Sequence, residues 1–159
     1  MSKLAIKPNA NGYRVKRPNN DVLSVSLAGG ASRQRLDRLG TPSIVSVSWM
    51  ADEYGYQYLT AFFNTAVKQG SLTFLCDLVL DKPYLTEHVC RYVPGTFSLD
   101  STIAFVFNCS AQFEVLPQAI DSDFDTDYIA AYELYGSNMD IIFNLLNELA
   151  NVALANNLD

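Results

Sequence analysis

From Ile103 to Val115, apolar Ile103, Phe105, Phe107, Cys109, Ala111, Phe113 and Val115 alternate with mostly polar Thr102, Ala104, Val106, Asn108, Ser110, Gln112 and Glu114. A sustained period of two predicts a half-buried β-strand. The same period puts Val45, Val47 and Trp49 on one face with Ser46 and Ser48 on the other. It also puts Leu72, Phe74, Cys76, Leu78 and Leu80 opposite Asp77 and Asp81. Glu87 to Val93 reads as a further strand, and Pro94-Gly95 as a turn into Thr96–Leu99. Between the strands the period changes. Tyr54, Tyr58, Leu59, Phe62, Phe63, Ala66 and Val67 recur at helical spacing, with Asp52 placed as N-cap and Gly70 as the residue after the last turn. This predicts one amphipathic helix over about 53–69, packed on the sheet through its aromatic stripe.

The flanks are less periodic. Residues 1–20, with Pro8, Gly12, Pro18 and several Asn, read as an arm that would need a partner to become ordered. Leu23, Val25 and Leu27 alternate with Ser24 and Ser26, and Gly29-Gly30 turns the chain into a basic second strand or loop, Ser32–Asp37. If that segment is extended, Arg33 and Arg35 share a face suited to a neighbour's carboxylates. Pro117 ends the sheet. Asp121, Asp123, Asp125 and Asp127 then read as an acidic linker, Tyr128–Tyr135 as a short helix stopped by Gly136, and Asn138 as the cap of a longer one. Its apolar stripe is Ile142, Phe143, Leu146, Leu149 and Ala153, flanked by Ile141, Leu145 and Val152. The expected organisation is an arm over 1–20, a β domain over 21–117, and an acidic, helical extension over 118–159.

Composition adds a core and a charge asymmetry. The 159 residues are 49% hydrophobic, enough for one domain with a real core, and have neither a signal-peptide pattern nor an apolar run of membrane-spanning length. The net charge is -6, but Lys3, Lys7, Arg14, Lys16, Arg17, Arg33, Arg35 and Arg38 crowd the start, and no Lys or Arg follows Arg91. Such asymmetry either joins copies head to tail or solvates two arms. Cys76, Cys90 and Cys109 fall within predicted strands and lack CxxC spacing, as expected of free core thiols in a reducing compartment.

Candidate chemistry is sparse. His88, the only histidine, has no partner in a nucleophile motif. Asp77 and Asp81, four residues apart on a strand, are separated by about 13 Å, too far for a glycosidase pair. Gly29-Gly30 beside Arg33, Arg35 and Arg38 lacks both the phosphate-binding lysine motif and Gly-x-Gly-x-x-Gly spacing. The run from Asp121 has Thr126 where a calcium loop needs Gly, and Tyr132 where it needs Glu. No catalytic residue, metal ligand or cofactor site is therefore expected.

Several segments together resemble the tail-tube fold of long-tailed bacteriophages, shared by tail-tube, distal-tail and related minor tail proteins. They are Leu27–Arg35 (LAGGASRQR), Val45–Trp49 (VSVSW), the helix ending Ala61-Phe62-Phe63 and then Gly70, Val93–Leu99 (VPGTFSL) and Phe113–Val115. The resemblance covers about Gly12 to Pro117 and leaves the acidic extension outside. It implies an α+β, mainly β fold: a β-sandwich or barrel with one flanking helix, here followed by a C-terminal helical extension. It also implies a structural role in the virion tail, after assembly in the host cytoplasm. Copies would associate into a ring, expected to be hexameric, and contact neighbouring tail proteins; DNA would pass without specific binding. The expected contact residues are Arg33, Arg35, Arg38, Ile142, Phe143, Leu146 and Leu149. The alternatives are a soluble binding module using the aromatic helix or the C-terminal helix, and an enzyme of another type built on His88 or a carboxylate pair.

Overall fold

The computed structural model describes residues 1–17, 22–26, 28–37, 40–119, 121–141, 144–145 and 148. The chain divides into two units, Met1–Gln118 and Ala119–Asp159. The described fold is α+β, mainly β, with two α-helices and antiparallel sheets.

In the first unit β4 (Ser43–Ala51) pairs along its whole length with β8 (Val106–Val115), from Ser43↔Val115 to Ala51↔Phe107. The other edge of β8 is shared: β7 (Ser98–Ile103) lies along its start, and β6 (Thr86–Tyr92) along its end. Beyond β6 comes β5 (Phe74–Leu78), and β1 (Arg14–Lys16) pairs with the far side of β4. The alternation places Val45, Val47, Trp49, Phe74, Cys76, Leu78, Cys90, Tyr92, Cys109, Ala111, Phe113 and Val115 on the buried side. Aromatic rings fill its centre. Phe113 lies 4.8 Å from Tyr92, 5.1 Å from Phe74 and 5.8 Å from Trp49, centroid to centroid.

Helix α1 (Glu53–Ala61) covers this face with Leu59, and the π-helical turn Phe62–Ala66 continues it with Phe62. Asp52 caps the helix as its spacing predicts, its carboxylate accepting from the Gly55 amide at 2.8 Å. The chain then turns through positive φ at Lys68, Gln69 and Gly70. At Gly70, φ is +88° and an added Cβ would lie 3.0 Å from the Tyr92 Cβ, so glycine meets both a backbone and a packing requirement. Tyr54 departs from the predicted stripe and is exposed.

The N-terminal segment corrects the expectation of an arm awaiting a partner. At the free edge of β5, Leu75 exchanges backbone bonds with Leu4 and Ser2 of this segment (Leu4 N to Leu75 O, 2.9 Å; Leu75 N to Ser2 O, 2.8 Å), and Asn9 N donates to Ser48 O of β4 at 2.8 Å. Residues 2–16 thus bond to β5 at one side of the sheet and, through Asn9 and β1, to β4 at the other. Leu4 is 4% exposed and belongs to the core. Unpaired edge amides and carbonyls are costly to leave uncovered, and a polar segment with one well-placed leucine suffices to cover them.

A second correction concerns the long alternating run. It is not one strand: Ala104 and Phe105 both have positive φ and form a two-residue turn between β7 and β8. Ile103 and Phe105, expected on the core face, are 67% and 77% exposed at this tip. Phe107 is half-buried and stacks on Tyr56 with centroids 4.8 Å apart. Leu72, also placed on an inner face by its spacing, precedes β5 and is exposed.

In the second unit the segment expected to be an acidic linker is helical. Helix α2 runs Ser122–Tyr135, with Asp121 accepting from the Phe124 amide at 3.1 Å. Asp123 and Asp125 occupy its first turn, where carboxylates face the positive end of the helix dipole. Gly136 ends α2 as expected. Among the described residues no helix is long and apolar enough to cross a membrane.

Candidate functional site

Strands β2 (Val22–Val25) and β3 (Arg33–Leu36) form a separate two-stranded sheet, every residue of which is exposed. No other described strand or helix of the first unit lies against it. Its register, Leu23↔Arg35 and Val25↔Arg33, puts two apolar side chains and two guanidinium groups opposite each other on one face. With Gln34 they line a groove of about 600 Å³. Arg33 has no carboxylate partner among the described residues, and Arg35 has Asp37 at 3.7 Å, both well exposed.

Two other cations near the start are already used. Lys3 lies 2.9 Å from Asp77 and 2.8 Å from Glu87, and Arg17 lies 3.3 Å from Asp81. The carboxylates considered as an acid pair are thus ion-paired to the N-terminal segment. Of the remaining expected contact residues, Arg38, Ile142, Phe143, Leu146 and Leu149 lie outside the described residues. The structure therefore brings Arg33 and Arg35 together with Leu23 and Val25, a grouping that periodicity alone had placed strand by strand.

A surface missed in the sequence lies on α2, which buries none of its residues. Phe124, Tyr128, Tyr132 and Tyr135 recur at spacings that share one helix face, and all four are exposed. The first two rings stack with centroids 6.2 Å apart. The signal was present but was divided between a linker and a short helix.

The outer face of the main sheet is hydroxyl-rich. Gly12, Ser46, Ser48, Thr96, Ser110 and Gln112 line a groove of about 400 Å³ there, with no charged side chain among them.

His88 faces inward and is 1% exposed. Its Nε2 lies 2.8 Å from Thr86 Oγ1, while Nδ1 has no partner. Cys76 stands directly opposite in the register and Cys90 two residues along. Burial lowers the pKa of His88, partly countered by Asp81, and raises that of Cys76 to about 12; Cys90 and Cys109 also shift upward through burial. At neutral pH these groups are an uncharged imidazole and protonated thiols, chemistry suited to packing. Among the described residues no three His, Cys, Asp or Glu side chains are arranged to hold a metal ion.

The histidine makes stability depend on pH. An unfolded histidine takes up a proton near pH 6.5, while buried His88 does so only at lower pH. Between those values the unfolded chain binds more protons, so stability falls as pH drops through about 6.5 and is unaffected above it. Chemical denaturation at pH 7.5 and pH 5.5 should show this loss, and His88→Gln should reduce it. Equal slopes in the two proteins would assign the pH dependence to other groups.

Comparison with known proteins found no matching family model, no matching curated protein and no matching solved structure.

Proposed function

We propose that this chain is a structural subunit of a bacteriophage tail, assembling into a ring around the DNA channel as a minor tail, distal tail or tube-terminating protein. The observation that carries the reading is the β2–β3 hairpin. An isolated two-stranded hairpin is marginally stable in water, and this one displays Val22, Leu23, Val25 and Leu36 to solvent. A second copy is the partner that covers such an element in a self-assembling subunit. Further support comes from the α+β, mainly β architecture, the coarse fold class that the sequence resemblance implies. In this reading copies associate into a ring, expected to be hexameric, and DNA passes without specific binding.

Negative-stain electron microscopy and mass photometry of the purified full chain test the reading. Rings with a central channel are expected; a monomer up to tens of micromolar, roughly the range of weak specific association, overturns it. The exposed aromatic stripe of α2 favours a second reading, a module that binds one protein partner. In that case the chain stays monomeric alone and forms a complex of fixed stoichiometry with that partner.

A further inference from the structure

The stripe Phe124, Tyr128, Tyr132 and Tyr135 is apolar at its centre and anionic at its margins. At about 100° per residue, Asp125 falls to one side of it and Asp127 to the other. Two such faces meeting each other would oppose carboxylate to carboxylate, so the matching surface must be cationic as well as apolar. The β2–β3 hairpin provides both properties on one face, with Arg33 and Arg35 directly across from Val25 and Leu23. Lys3 and Arg91 are engaged with carboxylates of the main sheet, and Arg17 with Asp81 in the loop after β5.

We infer that the aromatic face of α2 in one copy docks on the Leu23, Val25, Arg33 and Arg35 face of the hairpin in a second copy. The contact rests on the self-assembly reading above and supplies its joint. Tyrosine rings cover the two aliphatic side chains, the guanidinium planes stack over ring faces, and Asp125 and Asp127 accept hydrogen bonds from the same guanidinium groups. The two surfaces differ, so the contact is head to tail. Repeated from copy to copy, a head-to-tail contact closes a ring where the rotation permits.

Complementary charge reversal tests it in the full chain. Arg33→Glu with Arg35→Glu forms one variant, and Asp125→Lys with Asp127→Lys the other. Circular dichroism checks helix content; should the lysines lower it, Asp125→Asn with Asp127→Asn replaces them and is expected to weaken assembly in the same direction. By sedimentation velocity each reversed variant alone should associate at least about tenfold more weakly than the parent chain. An equimolar mixture should reassemble, because each reversed hairpin then meets a reversed helix on another copy. If the parent chain assembles but the reversed variants assemble equally well, or their mixture fails to recover, this contact is overturned and the ring reading stands. If all four reversals in one chain restore the fold's stability without association, docking is intrachain and the contact between copies is overturned. A parent chain that stays monomeric overturns both.

Discussion

Phe113→Ala is expected to destabilise the first unit by about 3–5 kcal/mol, the range for removing a buried phenylalanine. The side chain is fully buried on β8 and touches the rings of Trp49, Phe74 and Tyr92, which come from three other strands. No neighbour is free to close the space. Trp49 is held on β4, and Tyr92 already packs edge-on against Phe63 and at a tilt against Phe74, at 5.1 Å in each case. Loss of this ring therefore leaves a cavity among side chains contributed by β4, β5, β6 and β8. Thermal unfolding followed by circular dichroism reads the change, and a midpoint within a degree or so of the parent would remove Phe113 from the centre of the core. Phe105→Ala, made in parallel, should leave the midpoint nearly unchanged, since that side chain is 77% exposed.

Leu4→Asp should have the next largest effect, by a different route. The leucine anchors a segment that bonds to both β5 and β4, and a carboxylate cannot remain unpaired in its place without a large desolvation cost. The segment will instead peel away, forfeiting the leucine burial and the backbone bonds to Leu75. A loss of at least the roughly 2–5 kcal/mol of a buried leucine-to-alanine change is expected. The freed edge of β5 should also make the protein prone to concentration-dependent aggregation. An unchanged denaturation midpoint, with Leu75 amide exchange as slow as in the parent, would show that residues 2–4 do not hold this edge.

The sequence announced those elements whose local pattern and tertiary role agree. β4, β5, β6 and the second half of β8 alternate because one face is buried, and α1 carries its own cap. The turn at Ala104-Phe105 was hidden because neither residue is a usual choice for positive φ, so the alternation continued through it unmarked. The N-terminal segment was hidden because covering an edge uses backbone groups, which any sequence has, and because Leu4 is its one deeply buried side chain. The start of α2 was hidden by its aspartates, which read as solvation although they suit a helix N-terminus. At the candidate site, Arg33 and Arg35 were legible as one face. Their pairing with Leu23 and Val25 needed the register.

The N-terminal segment also bears on the order of folding. Lys3 reaches its partner Glu87 across 84 residues of chain, and Leu4 bonds to Leu75 only once β5 is in place. Closing so long a loop is entropically disfavoured until the intervening strands have already condensed. Residues 2–4 leave the ribosome before β5 and β6, yet are expected to be seated after them. A folding transition state with β4 and β8 paired and this segment still loose would give low φ-values at Leu4 beside high ones at Val47 and Ala111. Substitutions in the segment would then mainly hasten unfolding, making it the latch that sets the lifetime of the native state rather than the speed of reaching it.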